Sequence, residues 1–232
     1  MYRRIPILFL TIALMSIFAA CGSSSTTTQS ATIVSTTPQS TTTTGSGVCT
    51  TAPAGSQVYT IDANQSYASY EVQEQFLSKP LPNEAIGKTS SIQGGLALQS
   101  KGMPTITALK VSVNLQTLTS DSSRRDDAIK GNWLQSSTYP LATFIVKTPQ
   151  AASSGTFKLT GDMTIHNTTH TETFTVQGQQ ASKTITGIAK SLVYMKDFGF
   201  SAPSILGLLT VKDGVTVTFN FTANEGGCPQ LS

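Results

Sequence analysis

The sequence predicts an all-β domain: an eight-stranded antiparallel closed β-barrel with one short helical insert near residues 122–135. Apolar residues recur at every second position between residues 57 and 223, as they do in half-buried strands. About eight such segments occur within 167 residues, and their apolar faces can be buried in a two-sheet sandwich or in a closed barrel. Cys49 and Cys228 bracket this region, which favours the barrel, because the first and last strands of a barrel pair.

The eight strands are predicted near residues 66–76, 92–99, 109–115, 141–148, 157–165, 170–179, 184–194 and 215–222. Alternation is clearest in the last segment, where Val217, Phe219 and Phe221 share one face and polar residues share the other. Asn167 follows the fifth segment, and asparagine tolerates the left-handed conformation of a tight turn. The fifth and sixth strands are therefore predicted to form a hairpin.

One stretch, residues 122–135, departs from the alternation. Ile129 and Trp133 lie four residues apart, which is the spacing of one helix face. Ser122 or Ser123 can cap the first turn of such a helix. Pro140 then returns the chain to an extended conformation. The sequence therefore predicts a short helix inserted between the third and fourth strands.

The predicted barrel has a size at which side chains fill the interior or leave room for one small ligand. Strands of 9–12 residues give a barrel roughly 25–30 Å tall, which the few large side chains do not fill easily. Ala68, Gly94 and Gly161 lie on the inward face and leave space. We therefore expect an elongated apolar cavity. Its candidate lining consists of Tyr70, Val72, Leu96, Leu98, Val111, Val113, Phe144, Leu159, Met163, Phe174, Val176, Phe198, Phe200, Val217, Phe219 and Phe221.

Residues 1–20 have the features of an export signal peptide: Arg3 and Arg4, an apolar stretch, and small residues before Cys21. The apolar run of sixteen residues is shorter than the ~20 that a stable transmembrane helix needs. Residues 18–21 resemble the lipobox of bacterial lipoproteins, which implies a diacylglycerol on Cys21 and a folded domain on the extracytoplasmic side of the bacterial cell membrane. Ordinary signal cleavage with a free Cys21 is the alternative.

Residues 21–56 are predicted to form a flexible tether, because 17 of the 27 residues from 22 to 48 are Ser or Thr. Residues 57–223 form the predicted barrel, and residues 224–232 form a C-terminal tail. With Cys21 lipidated, we expect Cys49 and Cys228 to form a disulfide. Two free thiols are the alternative.

Composition excludes several functional classes. The net charge is +3, and it falls to +1 without Arg3 and Arg4, so the clustered cations that nucleic-acid binding requires are lacking. Two histidines and three cysteines are too few for common zinc sites, and we expect no metal and no cofactor. His166 and His170 could approach each other, with Glu172 nearby, but ordinary surface histidines are the favoured interpretation. No catalytic motif is found, so no catalytic residue is assigned.

Five segments resemble the YceI-like family in the expected order: 120–126 (SDSSRRD), 139–144 (YPLATF), 159–166 (LTGDMTIH), 196–200 (KDFGF) and 211–215 (VKDGV). The resemblance covers residues 57–223. It implies a lipocalin-like antiparallel barrel that binds polyisoprenoid lipids, in an exported or lipoprotein setting.

The sequence therefore favours a non-catalytic protein that carries, stores or senses an isoprenoid or other long apolar lipid and is held at the membrane by its N-terminal lipid. A structural barrel with a filled core and a protein partner is the alternative, and a lipid hydrolase is a weaker one. Arg125 and Asp126 are interpreted as a headgroup contact or as an ion pair that pins the helix. The sequence does not specify the oligomeric state.

Overall fold

The computed structural model describes residues 52–153, 155–205 and 207–232 and shows a closed, eight-stranded antiparallel β-barrel with one short helix. The predicted fold class is confirmed. The signal peptide, Cys21, most of the tether and Cys49 lie outside the described residues. Within the described ranges, no helix is both long enough and apolar enough to cross a bilayer.

The described residues contain thirteen strand segments. In chain order these are β1 (Gln57–Ile61), β2 (Tyr67–Phe76), β3 (Asn83–Thr89), β4 (Ile92–Gln99), β5 (Thr105–Asn114), β6 (Leu141–Val146), β7 (Gln150–Ala151), β8 (Gly155–Ile165), β9 (Thr168–Ala181), β10 (Thr184–Tyr194), β11 (Ser204–Ile205), β12 (Leu209–Val211) and β13 (Gly214–Glu225). Helix α1 (Ser123–Ala128) runs into a π-helical turn (Ile129–Trp133), and short 3-10 turns occupy Ala63–Gln65, Leu115–Thr117 and Met195–Phe198.

The barrel closes between the first and last strands. Tyr59 of β1 is paired with Leu96 of β4 on one side and with Glu225 of β13 on the other. After a 3-10 turn, β2 continues along β13 and also pairs with β3. The ring β1-β4-β5-β6-β8-β9-β10-β13 therefore has no free edge at β1, which removes a site for unwanted strand pairing.

Each of the eight predicted segments corresponds to a strand, whereas β1, β3 and the short strands β7, β11 and β12 were not predicted. Strand β3 turns small residues inward, namely Ala85, Gly87 and Thr89, so it carries no strong apolar period. Gly87 has a packing reason, because the ring of Tyr70 on the paired strand occupies the place where a side chain would stand. A strand that makes room for a neighbouring aromatic ring gives little sequence signal.

The helical insert spans Ser123–Trp133, close to the predicted 122–135, but only Ser123–Ala128 is α-helical. Ser122 is the N-cap, and its Oγ accepts a hydrogen bond from the Arg125 backbone N–H at 3.4 Å. The α-helix ends at Ala128, and the Leu134 N–H then bonds to the Ile129 carbonyl, which is π-helical spacing. Gly131 lies in this turn, where its low helix propensity favours the departure from α geometry.

The hairpin predicted at Asn167 is confirmed. Ile165 pairs with Thr168 across a two-residue turn. His166 and Asn167 both have positive φ, 51° and 59°, as a type I′ turn requires.

The two ends of the barrel differ. The mouth end carries α1, the 3-10 turn Met195–Phe198, the β2–β3 loop and the β11–β12 hairpin. The packed end carries β1 and the turns β4–β5 and β9–β10. The main core fills the barrel toward the packed end. Its fully buried members include Tyr59, Leu98, Ile106, Val146, Leu159, Val176 and Ala223.

Candidate functional site: an apolar cavity at the mouth end

A cavity of about 550 Å³ occupies the mouth half of the barrel. Its wall comes from β2, β12 and β13 on one side, from α1 and its π-helical turn across the top, and from the 3-10 turn Met195–Phe198. Nearly all of the lining is aliphatic or aromatic. This volume falls in the range of small-molecule sites, about 300–1,000 Å³. The barrel is therefore neither filled throughout nor hollow throughout.

The predicted lining residues fall into three groups. Seven line the cavity: Tyr70, Val72, Val113, Met163, Phe198, Phe200 and Val217. Four others surround a smaller space of about 80 Å³ that shares Met163 and Val217 with the cavity: Val111, Phe144, Phe174 and Phe219. The remaining five lie with the packed core instead: Leu96, Leu98, Leu159, Val176 and Phe221. The cavity is thus shorter than the sequence predicts.

Aromatic rings close the lower end of the cavity. Phe144 meets Phe174 edge to face, with ring centroids 4.9 Å apart. A Cβ at Gly161 would lie 2.8 Å from the Phe144 ring and 2.5 Å from the Ile145 carbonyl oxygen, so this space is already taken. The prediction that Gly161 leaves room for a ligand is therefore wrong, because its missing side chain accommodates Phe144.

Gly94 also leaves no free space. A side chain there would collide with the Lys110 backbone on the neighbouring strand. Its φ is +136°, which favours glycine whatever the space. Ala68, in contrast, lines both the cavity and the smaller space below it, as predicted.

Several lining residues were not predicted from the sequence, because they lie outside the regular alternation. Ile129, Trp133 and Leu134 reach the cavity from the helical insert. Ile205 and Leu208 reach it from the β11–β12 hairpin. The helical spacing of Ile129 and Trp133 was a usable signal, since it implies an apolar face that must cover something.

One ion pair adjoins the apolar lining. Glu74 on β2 is 5% exposed and accepts two hydrogen bonds from Arg125, from Nε to Oε1 and from Nη2 to Oε2, each 3.0 Å long. Arg125 also donates to Ser120 Oγ at 3.1 Å and pairs with the exposed Asp121. Hydrogen bonding to Glu74 is the main cause of the raised pKa of Arg125. The guanidinium is therefore engaged by carboxylates of the protein itself.

Asp126 does not pair with Arg125. Its carboxylate accepts hydrogen bonds from the Ser120 backbone N–H at 3.0 Å and from the Ser120 hydroxyl at 2.6 Å. The proposed Arg125–Asp126 ion pair is therefore wrong. The idea that these residues pin the helix does hold, because each ties α1 to a neighbouring segment, Arg125 through Glu74 and Asp126 through Ser120.

Tyr70 supplies a buried hydroxyl beside this ion pair. Burial, the largest effect, raises its pKa to about 12, against a smaller lowering by Arg125. Its hydroxyl is buried and lies near Ser120, which slightly lowers its pKa, but the geometry meets no hydrogen-bond criterion with any described residue. A neutral hydroxyl group with unused hydrogen-bonding capacity therefore lies in the cavity wall.

Of the two histidines, His170 is exposed, as predicted, whereas His166 is partly buried. His166 packs edge-on against Tyr139, with ring centroids 4.7 Å apart, and its Nε2 is buried with no partner among the described residues. His170 Nδ1 lies 3.1 Å from Glu172 Oε1. Asp197 adds a third group, and the ligand atoms of these three residues lie within 4.8 Å of one another. In the described ranges this trio is the group that could hold a metal ion.

Fold and cavity together define a lipocalin-like class of protein: an antiparallel barrel with an apolar cavity at one end. Residues 59–223 match the YceI-like domain family, and the chain belongs to that family. No curated protein matches the chain.

Three solved structures show the same fold. Burkholderia cenocepacia BcnA is 19% identical, with a TM-score of 0.57 over 71% of this chain and 99% of that one. A polyisoprenoid binding domain from Saccharophagus degradans, implicated in plant cell wall breakdown, is 13% identical, with a TM-score of 0.54 over 72% and 98%. A mutant Campylobacter jejuni YCEI protein is 17% identical, with a TM-score of 0.53 over 61% and 85%.

Proposed function

We propose that this protein binds one isoprenoid or other long apolar chain in the mouth-end cavity and does so without catalysis. The observation that carries the proposal is the cavity of about 550 Å³, whose lining is almost entirely apolar. The similar fold of the polyisoprenoid binding domain from Saccharophagus degradans supports the choice of ligand class. A structural barrel with a filled core would leave no such space.

Burial of the chain supplies ample binding free energy. A five-carbon isoprene unit contributes on the order of 3–4 kcal/mol when it leaves water. About five units would already approach the practical ceiling of roughly 18–21 kcal/mol for noncovalent binding. Hydrophobicity therefore does not limit affinity, and the length and shape of the cavity select the ligand.

The cavity volume sets the length of chain that fits. A cavity of about 550 Å³ lies within the range of sites for one small ligand, so it can hold a short prenyl chain but not the whole of a long polyprenol. Phe144 and Phe174 close the lower end. A longer chain therefore leaves part of its length at the mouth.

The head group is proposed to be neutral. Arg125 already gives both arms of its guanidinium to Glu74 and Asp121, so it offers no free fork to a phosphate, and the other arginine of the lining, Arg124, is exposed to water. The Tyr70 hydroxyl is a buried group without a hydrogen-bond partner among the described residues. A hydroxyl, carbonyl or amide on the ligand would give it one.

The setting is proposed to be extracytoplasmic. The N-terminal sequence supports export, a lipid on Cys21, and a Ser/Thr-rich tether that holds the barrel at the bacterial cell membrane. A Cys49–Cys228 disulfide belongs to the same proposal, since disulfides persist in oxidising compartments. The pairing of β1 with β13 supports it by bringing the two ends of the barrel together.

The test is to load the purified full chain with farnesol, geranylgeraniol or a long polyprenol and to measure bound lipid by solvent extraction and mass spectrometry. We expect binding to each prenol, a rise in melting temperature, and little gain in affinity beyond geranylgeraniol. Failure to bind any prenol, with no shift in melting temperature, would contradict the proposal.

Variants on β13 supply the control. Val217→Glu places a charge in the cavity wall and should abolish loading, whereas Thr218→Glu places the same charge on the outer face beside Lys190 and should not. Val217→Phe fills part of the cavity without a charge and should shift the preference toward shorter prenols. Equal loading by all three variants would show that the ligand binds elsewhere.

A further inference from the structure

The mouth of the cavity is surrounded by exposed aliphatic side chains. In the β2–β3 loop, Leu77 is 72% exposed and Leu81 is 74% exposed. In the β11–β12 hairpin, Ile205 is 46% exposed and Leu208 is 63% exposed. We call these four residues the apolar rim. Exposing these aliphatic side chains to water is unfavourable, and large exposed apolar patches commonly mark interaction sites.

The rim is one surface that continues into the cavity. The Leu77 backbone N–H donates to the Leu208 carbonyl at 3.1 Å, so the two loops lie side by side. Phe76 and Leu209, the next residues inward, are paired across β2 and β12, and both line the cavity. Ile205 and Leu208 belong to the rim and to the cavity lining alike. An apolar chain can therefore pass from the rim into the cavity over apolar surface.

The charge of the rim segments suits a membrane surface. Lys79 is the sole charged residue of residues 77–82, and residues 204–208 carry no charge. The Lys79 ammonium lies 5.2 Å from the centre of the Phe76 ring, close to the mouth. A cation among leucines is attracted by the negative surface potential of anionic leaflets, while the leucines enter the acyl region.

We propose that the apolar rim docks on the surface of a lipid bilayer, so that the cavity exchanges its ligand directly with the membrane. This inference rests on the proposed function, because it concerns the route by which the same cavity is loaded. The four rim residues are all Leu or Ile, and leucine is under-represented among the residues that dominate protein–protein binding. Docking also spares the apolar chain a passage through water.

Insertion can be measured with a tryptophan probe in the full chain. Leu81→Trp and Met103→Trp place the probe at two nearly equally exposed positions, 74% and 72%, at opposite ends of the barrel. Vesicles that mix anionic phosphatidylglycerol with phosphatidylcholine carrying brominated acyl chains quench tryptophans that enter the bilayer. We expect strong quenching at position 81 and none at position 103, after subtraction of the Trp133 signal of the parent chain. The N-terminal segment is the same in both variants and does not produce this difference.

Equal quenching at both positions, or none at position 81, would overturn the proposal. A fluorescence change at position 81 that depends on protein concentration without vesicles would overturn it as well, because it would make the rim a contact between copies of the chain.

Transfer kinetics give a second measurement. Leu77→Ser with Leu81→Ser removes two rim leucines that do not line the cavity, and Met103→Ser is the matched control. We expect transfer of farnesol from phosphatidylcholine vesicles to slow at least about tenfold in the double variant, since burial of one leucine side chain is worth roughly that factor or more. The control should transfer at the parent rate. Equal rates for both variants would overturn the proposal.

Loading from detergent micelles separates the two proposals. Rim variants should reach the same final occupancy as the parent chain, because the cavity itself is unchanged. If the parent chain takes up no prenol from micelles, the proposed function fails, whereas quenching at position 81 still decides membrane docking.

Discussion

The ion pair between Glu74 and Arg125 fixes the position of α1 over the cavity. Carboxylates are rarely buried without a partner, and Glu74 has one because Arg125 reaches it from α1 in a two-pronged arrangement. Such a pair need not stabilise the fold overall, since both groups lose hydration. The pair does restrict the position of α1, because the guanidinium is planar and can donate two hydrogen bonds to Glu74 only when the carboxylate lies in its plane.

Glu74→Ala should destabilise the protein by about 3–5 kcal/mol, because it leaves the Arg125 guanidinium partly buried without its main partner. Denaturant unfolding measures this loss. Glu71→Ala is the control, because it removes the same charge from the same strand. Glu71 does not pair with Arg125; its carboxylate lies near that of Glu84 and raises the pKa of Glu84. The control should therefore leave stability unchanged or slightly raised. Equal losses in both variants would show that the Arg125 pairing is not the cause.

Tyr70 gives the cavity wall a pH dependence at alkaline pH. Burial raises its pKa from 10.0 to about 12, so the folded state holds the phenolic proton more tightly than the unfolded chain does. Stability from this group is complete below pH 10 and is lost as the pH rises toward 12. The total loss is at most about 2–3 kcal/mol.

Tyr70→Phe removes this contribution. The unfolding free energy of the parent minus that of the variant should fall by up to about 2–3 kcal/mol as the pH rises from 9 toward 12 and Tyr70 ionises. Lysines and other tyrosines titrate equally in both proteins and cancel. A difference that stays constant to pH 12 would mean that the phenol is not buried as described.

At the scale of elements, alternation in the sequence was enough to place eight strands, and the positions of Cys49 and Cys228 favoured closure, although β1, the strand that closes the barrel, was not predicted. Alternation could not place the boundary between cavity and core. Leu159 and Met163 lie on the same face of β8 and both belong to the main core, yet only Met163 also lines the cavity. The two have the same parity and similar hydrophobicity. What separates them is the Phe144 ring over Gly161, a three-dimensional contact that no single strand reveals.

Gly161→Ala tests this strand-to-strand fit. The new methyl would lie 2.5 Å from the Ile145 carbonyl oxygen and 2.8 Å from the Phe144 ring, so β6 or the ring must move. We expect a loss of about 1–3 kcal/mol in thermal or denaturant unfolding. Gly178→Ala on β9 is the control, because its methyl would have neighbours only at 3.9 Å and its backbone needs no glycine. That change should be neutral or stabilising by about 0.4–1 kcal/mol.

The loops account for the other part of the site that the sequence did not predict. The β11–β12 hairpin and the 3-10 turn Met195–Phe198 contribute Leu208 and Met195 to the lining, and neither segment is long enough to show a period. A strand needs several residues before alternation can be recognised. Lining from such short segments becomes visible only when the barrel brings them over its open end.

For the whole molecule, the division into a packed half and a hollow half separates stability from binding. The packed end holds the fully buried side chains of Tyr59 and Val146 and the pairing of β1 with β13. The mouth end forgoes some burial, since an open apolar cavity loses the contacts that a filled core makes. A ligand in the cavity restores them and raises the stability of the folded state according to its concentration and affinity.

The closure at the packed end leads to the last prediction. A Cys49–Cys228 disulfide would close a loop of about 180 residues and would constrain the unfolded chain by on the order of 5 kcal/mol at most. Reductant should therefore lower the unfolding free energy of the parent chain by several kcal/mol. Cys228→Ser should show the same lower value and no response to reductant, whereas Cys21→Ser should respond as the parent does. The disulfide would be ruled out if reductant left the unfolding free energy of the oxidised parent unchanged and two or more thiols were counted under oxidising conditions. Strand pairing alone would then hold the two ends together.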